Sequence, residues 1–202
     1  MYKILCITNS SVCESDFLKH IEALAQSRIY GIVLREKQLS ADDYYYLAKA
    51  VIGICKKYDK LCILHNFVEE AVKLKHYAIH CPMPVLEKNT ELLKNFDIIG
   101  ASTHSIAQAQ RAKELGASYI TYGHIFPTDC KKGLAPKGLS ELKEIVRNVD
   151  IPIYPLGGIN AENFREVISC GTDGFAVMSG LMKKDYGTLL NALYSEKQNH
   201  KV

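Results

Sequence analysis

One imidazole stands where an apolar, strand-like run ends and a polar loop begins. The run is 118–123, the imidazole belongs to His124, and the loop that follows carries Thr128, Asp129 and Cys130. An imidazole titrates near neutral pH and can both accept and return a proton. His124 is therefore the first candidate for a catalytic residue.

Cys130 in the same loop has two interpretations. Lys131 and Lys132 follow it directly, and neighbouring cations stabilise a nucleophilic thiolate. Cys130 is equally a small residue that contacts a ligand without reacting, and we favour this second interpretation because no Cys–His pairing is evident.

Small residues follow two other strand-like runs. Gly157 and Gly158 come after one run and Ser179 and Gly180 after another, and each pair precedes a helix-like segment. Without a side chain, backbone amides can approach an anion closely, and the start of a helix attracts negative charge. We predict that these four residues form a phosphate site, although ordinary tight turns give the same pattern.

Two cations lie at the end of the second run. Alternation along a strand places Arg35 and Lys37 on the same side, where they suit a second anionic group. A solvated charged segment is the alternative. His65 and Asn66 end the third run, His80 ends the fourth and His104 precedes a helix-like segment; a hydrogen-bonded loop histidine or a structural amide is the simpler interpretation of these residues.

The elements that position these residues alternate regularly. Strand-like runs cover 2–8, 30–35, 61–65, 77–80, 97–101, 118–123, 153–157 and 173–178. Helix-like segments cover 14–27, 41–57, 67–75, 86–94, 105–115, 138–147, 160–169 and 186–195. Eight strands, each followed by a helix, predict a small α/β domain, a (β/α)8 TIM barrel spanning 1–202, whose active site would lie at the strands' carboxyl ends. An open doubly wound sheet would leave two strands unplaced.

Composition excludes several classes. The 25 basic and 22 acidic residues give a net charge of +3 without a clustered basic face, so nucleic acid is not an expected partner. No apolar run approaches about 18 residues and no signal peptide is evident, so we expect no membrane span. Seven cysteines without a C-x-x-C pair argue against structural zinc and suit a reducing cytoplasm.

Four segments together resemble the thiamine phosphate synthase superfamily of small TIM barrels. They begin at Leu34, Gly123, Leu156 and Asp173, and read LREK, GHIFPTDCKKGL, LGGI and DGFAVMSG. Within that superfamily the sequence is most similar to TenI, the thiazole tautomerase, because a histidine follows Gly123.

Four departures from the synthase pattern support the same choice. Phe67 and the segment 80–84 replace the stretches in which synthases carry aspartates, Cys130 replaces a threonine, and Val33 replaces a glutamine. Without the aspartates, a magnesium ion lacks its usual oxygen ligands.

The resemblance implies a cofactor-free isomerase that aromatises a carboxylated dihydrothiazole ethyl phosphate in thiamine biosynthesis. It implies His124 and Arg35 as catalytic residues, no metal, a small-molecule thiazole phosphate substrate and a homo-oligomer. The implied substrate-binding residues are Lys37, Asn66, Thr128, Asp129, Cys130 and Lys131, with Gly157, Gly158, Ser179 and Gly180 on the phosphate.

Two alternatives stay open. One is a magnesium-dependent synthase that joins thiazole phosphate to hydroxymethylpyrimidine diphosphate. The other is a non-catalytic regulator that binds thiazole phosphate, although the sequence has no recognition-helix pattern or basic stripe for DNA.

Overall fold

Eight parallel strands close into a barrel in chain order. The computed structural model describes residues 2–131 and 133–194, and the barrel confirms the predicted (β/α)8 architecture. The strands are β1 (Lys3–Ile7), β2 (Gly31–Leu34), β3 (Leu61–His65), β4 (Ala78–Pro82), β5 (Ile98–Thr103), β6 (Tyr119–Gly123), β7 (Ile153–Leu156) and β8 (Gly174–Val177).

Helices cover the outside of the barrel. They are α1 (Phe17–Gln26), α2 (Ala41–Lys57), α3 (Val68–Lys73), α4 (Met83–Lys88), α5 (Thr90–Leu93), α6 (Ile106–Glu114), α7 (Gly138–Asn148), α8 (Phe164–Ile168), α9 (Ser179–Met182) and α10 (Tyr186–Tyr194). Residue 195, the predicted end of the last helix, lies outside the described residues. Within 2–131 and 133–194, no helix has both the length and the apolar character needed to cross a membrane.

Two helices differ most from their predicted bounds, because asparagine side chains compete for backbone groups. The predicted helix 86–94 breaks at Asn89, whose side-chain amide donates to the Val85 carbonyl at 2.8 Å. The predicted helix 160–169 starts late, at Phe164, because Asn160 Oδ1 accepts the backbone N–H of Glu162 at 2.8 Å and forms a turn there instead.

The core has two layers, because parallel strands bury both faces. Side chains inside the barrel pack as one cluster, formed by Leu5, Ile7, Val33, Ile63, Ala78, Tyr119, Tyr154 and Ala176. The alternate positions, such as Ile4, Ile32 and Leu64, pack against the helices. Pro155 pairs in register with Tyr122, so β7 forms although proline lacks a backbone N–H to donate.

The barrel closes between β1 and β8. Lys3 pairs with Gly174 at this seam, and the backbones approach so closely that a Cβ built on Gly174 would lie 1.8 Å from the Lys3 carbonyl oxygen. Only glycine fits at this position.

Candidate active site

A cavity of about 540 Å³ opens at the carboxyl ends of the strands. All eight strands contribute to its wall, from Ile7 of β1 to Val177 of β8. This is the face where the sequence predicted the site, and the cavity has the size of a small-molecule pocket.

Most of the predicted site residues meet in this cavity. Ten of them line it, namely Arg35, Lys37, His124, Thr128, Cys130, Lys131, Gly157, Gly158, Ser179 and Gly180. Asn66 and Asp129 do not belong to the lining. Asn66 has a left-handed φ of 74° and its backbone N–H donates to the His80 carbonyl, whereas Asp129 is exposed in the 3-10 helix Asp129–Lys131. Lys132 lies outside the described residues.

Arg35 and Lys37 reach the cavity because the residue between them turns the other way. Glu36 is fully buried, and its carboxylate accepts hydrogen bonds from Thr8 Oγ1 at 2.6 Å and Ser10 Oγ at 2.6 Å. Gln38 Nε2 donates to the same carboxylate at 2.7 Å. The anchored Glu36 therefore fixes the end of β2 and leaves its two cationic neighbours at the cavity.

Three cations share this part of the cavity. Burial lowers the pKa of Lys37, and the positive charges of Arg35 and Lys131 lower it further, so each of these two groups is near enough to Lys37 to repel it. Among residues 2–131 and 133–194, none of the three forms an ion pair, and no aspartate or glutamate lines the cavity. Uncompensated positive charge of this kind favours an anionic ligand.

His124 is buried beside the two glycines that follow β7. A Cβ on Gly157, whose φ is +94°, would lie 2.3 Å from His124 Cβ, and one on Gly158, whose φ is +69°, would lie 2.5 Å from the Pro127 carbonyl oxygen. The backbone N–H of Phe126 donates to the Gly157 carbonyl at 3.0 Å. Close packing of the two loops thus already requires both glycines, and their phosphate-binding role stays a prediction.

Sequence reasoning undervalued two histidines in the cavity wall. His80, in the middle of β4, pairs in register with His65, the last residue of β3, and their ring centroids are 5.6 Å apart. His80 bonds through Nδ1 to the Tyr119 hydroxyl at 2.9 Å and through Nε2 to Ser102 Oγ at 2.8 Å. His65 Nδ1 is buried without a hydrogen-bond partner among the described residues. Each histidine ends a predicted strand-like run, 61–65 or 77–80, and this was the signal that could have found them.

Both imidazoles are held neutral. Burial lowers the pKa of His80 to about 3, with a smaller contribution from the positive charge of Lys37. Burial, His80 and Lys37 likewise hold the pKa of His65 well below its usual range. The histidines therefore form an uncharged wall beside the three cations.

This neutrality predicts a pH dependence of stability. The unfolded chain takes up a proton at His80 near pH 6.5 but the folded protein does so only near pH 3, so stability is greatest above pH 6.5 and falls as the pH decreases through that window. We expect His80 to contribute a slope of up to about 1.4 kcal/mol per pH unit. Urea denaturation between pH 7 and pH 5 measures it, and His80→Gln should show a shallower slope; an unchanged slope would contradict the assignment.

The donors around the cavity do not fit a magnesium ion. Mg²⁺ prefers oxygen ligands, usually one or two carboxylates, and the described part of the cavity wall contains none. Glu36 uses its carboxylate for internal hydrogen bonds. Phe67, at the position where the synthase pattern has an aspartate, stacks on Tyr44 with ring centroids 4.1 Å apart. Within the described ranges, no cluster of three or more His, Cys, Asp or Glu side chains is suited to a metal.

A closed (β/α)8 barrel whose cavity, at the carboxyl ends of the strands, is lined by Arg35, Lys37 and Lys131 defines a TIM-barrel protein with a cationic pocket. Residues 4–181 match the thiamine monophosphate synthase family, and the chain belongs to that family.

Known relatives cover almost the whole chain. It is 34% identical over 186 residues to a thiamine-phosphate synthase of Fusobacterium nucleatum, covering 90% of each chain. It is 36% identical over 185 residues to one from Clostridium acetobutylicum, covering 90% of this chain and 87% of that one. The structure of a thiamine phosphate pyrophosphorylase from Pyrococcus furiosus superposes with a TM-score of 0.83 at 29% identity, covering 96% and 94% of the two chains.

These comparisons correct the functional prediction. The superfamily is confirmed, but the tautomerase subfamily, and with it the assignment as an isomerase, is wrong, because relatives across the chain's length are named as synthases. The histidine after Gly123 and the missing aspartates were given too much weight as markers of the reaction. Neither feature identifies the reaction, and of the two alternatives the thiamine-phosphate synthase is the better supported.

Proposed function

We propose that this protein is a thiamine-phosphate synthase, a transferase that joins a thiazole phosphate to hydroxymethylpyrimidine diphosphate with release of pyrophosphate. The main support for the proposal is the composition of the cavity wall. Arg35, Lys37 and Lys131 line it, and its described residues include no aspartate or glutamate. Both substrates are anions, and the names of the relatives point to the same product.

The reaction needs charge stabilisation more than acid–base chemistry. The thiazole nitrogen forms a bond to the methylene carbon of the pyrimidine with its lone pair, and the carbon–oxygen bond to the diphosphate breaks, with that electron pair leaving on pyrophosphate. Negative charge grows on the leaving oxygen, where preorganised cations lower the barrier most. Arg35, Lys37 and Lys131 are the groups we assign to this role.

The other cavity residues take binding roles in this proposal. The amides near Gly157 and Gly158, with Ser179 and Gly180, would hold the phosphate of the thiazole, while Thr128 and Cys130 line the path between the two anion sites. Joining the rings transfers no proton at the bond-forming step, so we assign His124 to contact with the substrate rather than to a proton shuttle.

The proposal also includes a cellular location and an oligomeric state. All seven cysteines are free thiols, which supports a proposed cytoplasmic location. We also propose that the chain forms a homo-oligomer, as the family resemblance implies, and that residues 1–202 act as a single functional domain. Sedimentation velocity of the purified protein measures its oligomeric state.

The direct test is product formation. With both substrates, the protein should release one pyrophosphate for each thiamine phosphate formed, measured by a phosphate-coupled assay and by mass spectrometry. Omission of either substrate is the control. Absence of both products, with and without added magnesium, would exclude the synthase function.

A further inference from the structure

We propose that Arg35, Lys37 and Lys131 take the place of a divalent cation, so that this chain binds the diphosphate group without a metal. The inference rests on the proposed function, because it concerns the leaving group of that reaction. It begins from the disagreement between the synthase pattern, which provides carboxylates for magnesium, and a cavity wall that provides none among the residues described.

The positions of the expected ligands are occupied by groups that serve the packing. Phe67 is stacked on Tyr44, whose hydroxyl donates to the Leu34 carbonyl at 2.8 Å and accepts the His65 backbone N–H at 2.8 Å. After β4, Met83 opens α4 and is itself buried. An oxygen ligand at either place would require a different packing of the strand ends.

The histidines nearby do not replace those oxygens. Both nitrogens of His80 are engaged with Tyr119 and Ser102, and His65 Nδ1 is buried from solvent. Neutral imidazoles are also poor ligands for Mg²⁺, which prefers hard oxygen donors. Among the residues described, the histidine wall beside the cations therefore has no group suited to hold the metal.

The cations, in contrast, are placed and unneutralised. The backbone that carries Arg35 and Lys37 is held by the Glu36 hydrogen bonds, and the Arg35 backbone N–H donates to Thr8 Oγ1 at 2.9 Å. An anion relieves the repulsion that Arg35 and Lys131 exert on Lys37, and a diphosphate carries several negative charges with many acceptor oxygens. Fixed positive charge can supply what a metal supplies at a leaving group.

Titration calorimetry with inorganic pyrophosphate tests this inference. We expect pyrophosphate to bind in EDTA, with a Kd no more than about threefold weaker than in magnesium buffer. Lys37→Gln should weaken binding in EDTA by about tenfold or more, because a charge-assisted hydrogen bond is lost. Lys49→Gln is the matched control, since Lys49 is exposed on α2 and does not line the cavity.

The outcomes separate this inference from the proposed function. Pyrophosphate binding that requires magnesium, or that is unchanged in Lys37→Gln, would overturn the inference even if the synthase reaction proceeds. Metal-independent binding together with no joined product would support the anion site and overturn the synthase assignment. Turnover in EDTA that falls in Lys37→Gln but not in Lys49→Gln would support both.

Discussion

Arg35→Ala is expected to lower kcat/KM for the joining reaction by about 10²–10³-fold, the usual effect of removing one preorganised donor at a developing negative charge. Arg35 is half-buried at the cavity, and its planar guanidinium can donate two parallel hydrogen bonds to phosphate oxygens. Steady-state kinetics with both substrates measure the loss. Because the Arg35 side chain forms no hydrogen bond or ion pair within residues 2–131 and 133–194, the variant should keep its fold, as circular dichroism would show.

Two further variants make this prediction specific. Arg35→Lys keeps the charge but not the forked geometry, so its activity should lie between that of wild type and Arg35→Ala. Arg147→Ala removes an exposed arginine of α7 outside the cavity and should leave kinetics unchanged. A loss of less than about threefold in Arg35→Ala would remove this residue from the reaction.

Gly174→Ala is expected to lower the free energy of unfolding by about 3 kcal/mol, at the upper end of overpacking effects. The added Cβ would lie 1.8 Å from the Lys3 carbonyl oxygen and 2.7 Å from its carbonyl carbon. These are backbone atoms of β1, so the clash is relieved only if the strands that close the barrel separate. Urea denaturation followed by circular dichroism measures the change.

The matched control for Gly174→Ala is Gly53→Ala. Gly53 is exposed in the interior of α2, and a Cβ there would have no neighbour within 4 Å. Alanine is a better helix former, so this change should raise stability by about 0.5–1 kcal/mol. Equal effects in the two variants would show that the close approach at the seam does not limit stability.

The barrel could be predicted from sequence because its signal repeats. Strands buried on both faces appear as apolar runs, and eight of them separated by helical segments leave few other ways to pair. The same alternation predicted that Arg35 and Lys37 share a side. It did not predict where Glu36 goes, because its partners Thr8 and Ser10 lie 28 and 26 residues away along the chain.

Local backbone geometry limited the prediction of the site. Asn66 lies at a strand end like Arg35, but its left-handed conformation takes it out of the cavity lining. His65 and His80 belong to the wall through contacts between neighbouring strands, which no spacing along the chain reveals. The reaction was harder to predict than the site, because a cationic pocket suits phosphate substrates of several reactions. The histidine after Gly123 did not decide among those reactions.

The buried carboxylate of Glu36 links the loop after β2 to the loop after β1. Residues 8–12 contribute no side chain to the cavity, yet Ser10 donates its backbone N–H to Glu36 at 2.9 Å and so helps to hold Arg35 and Lys37. By thermodynamic reciprocity, an anion that immobilises the two cations stabilises the loop after β1 to the same extent that this loop strengthens anion binding. The first loop of the barrel is thus an indirect determinant of affinity, and its hydrogen exchange should slow when the cavity is filled.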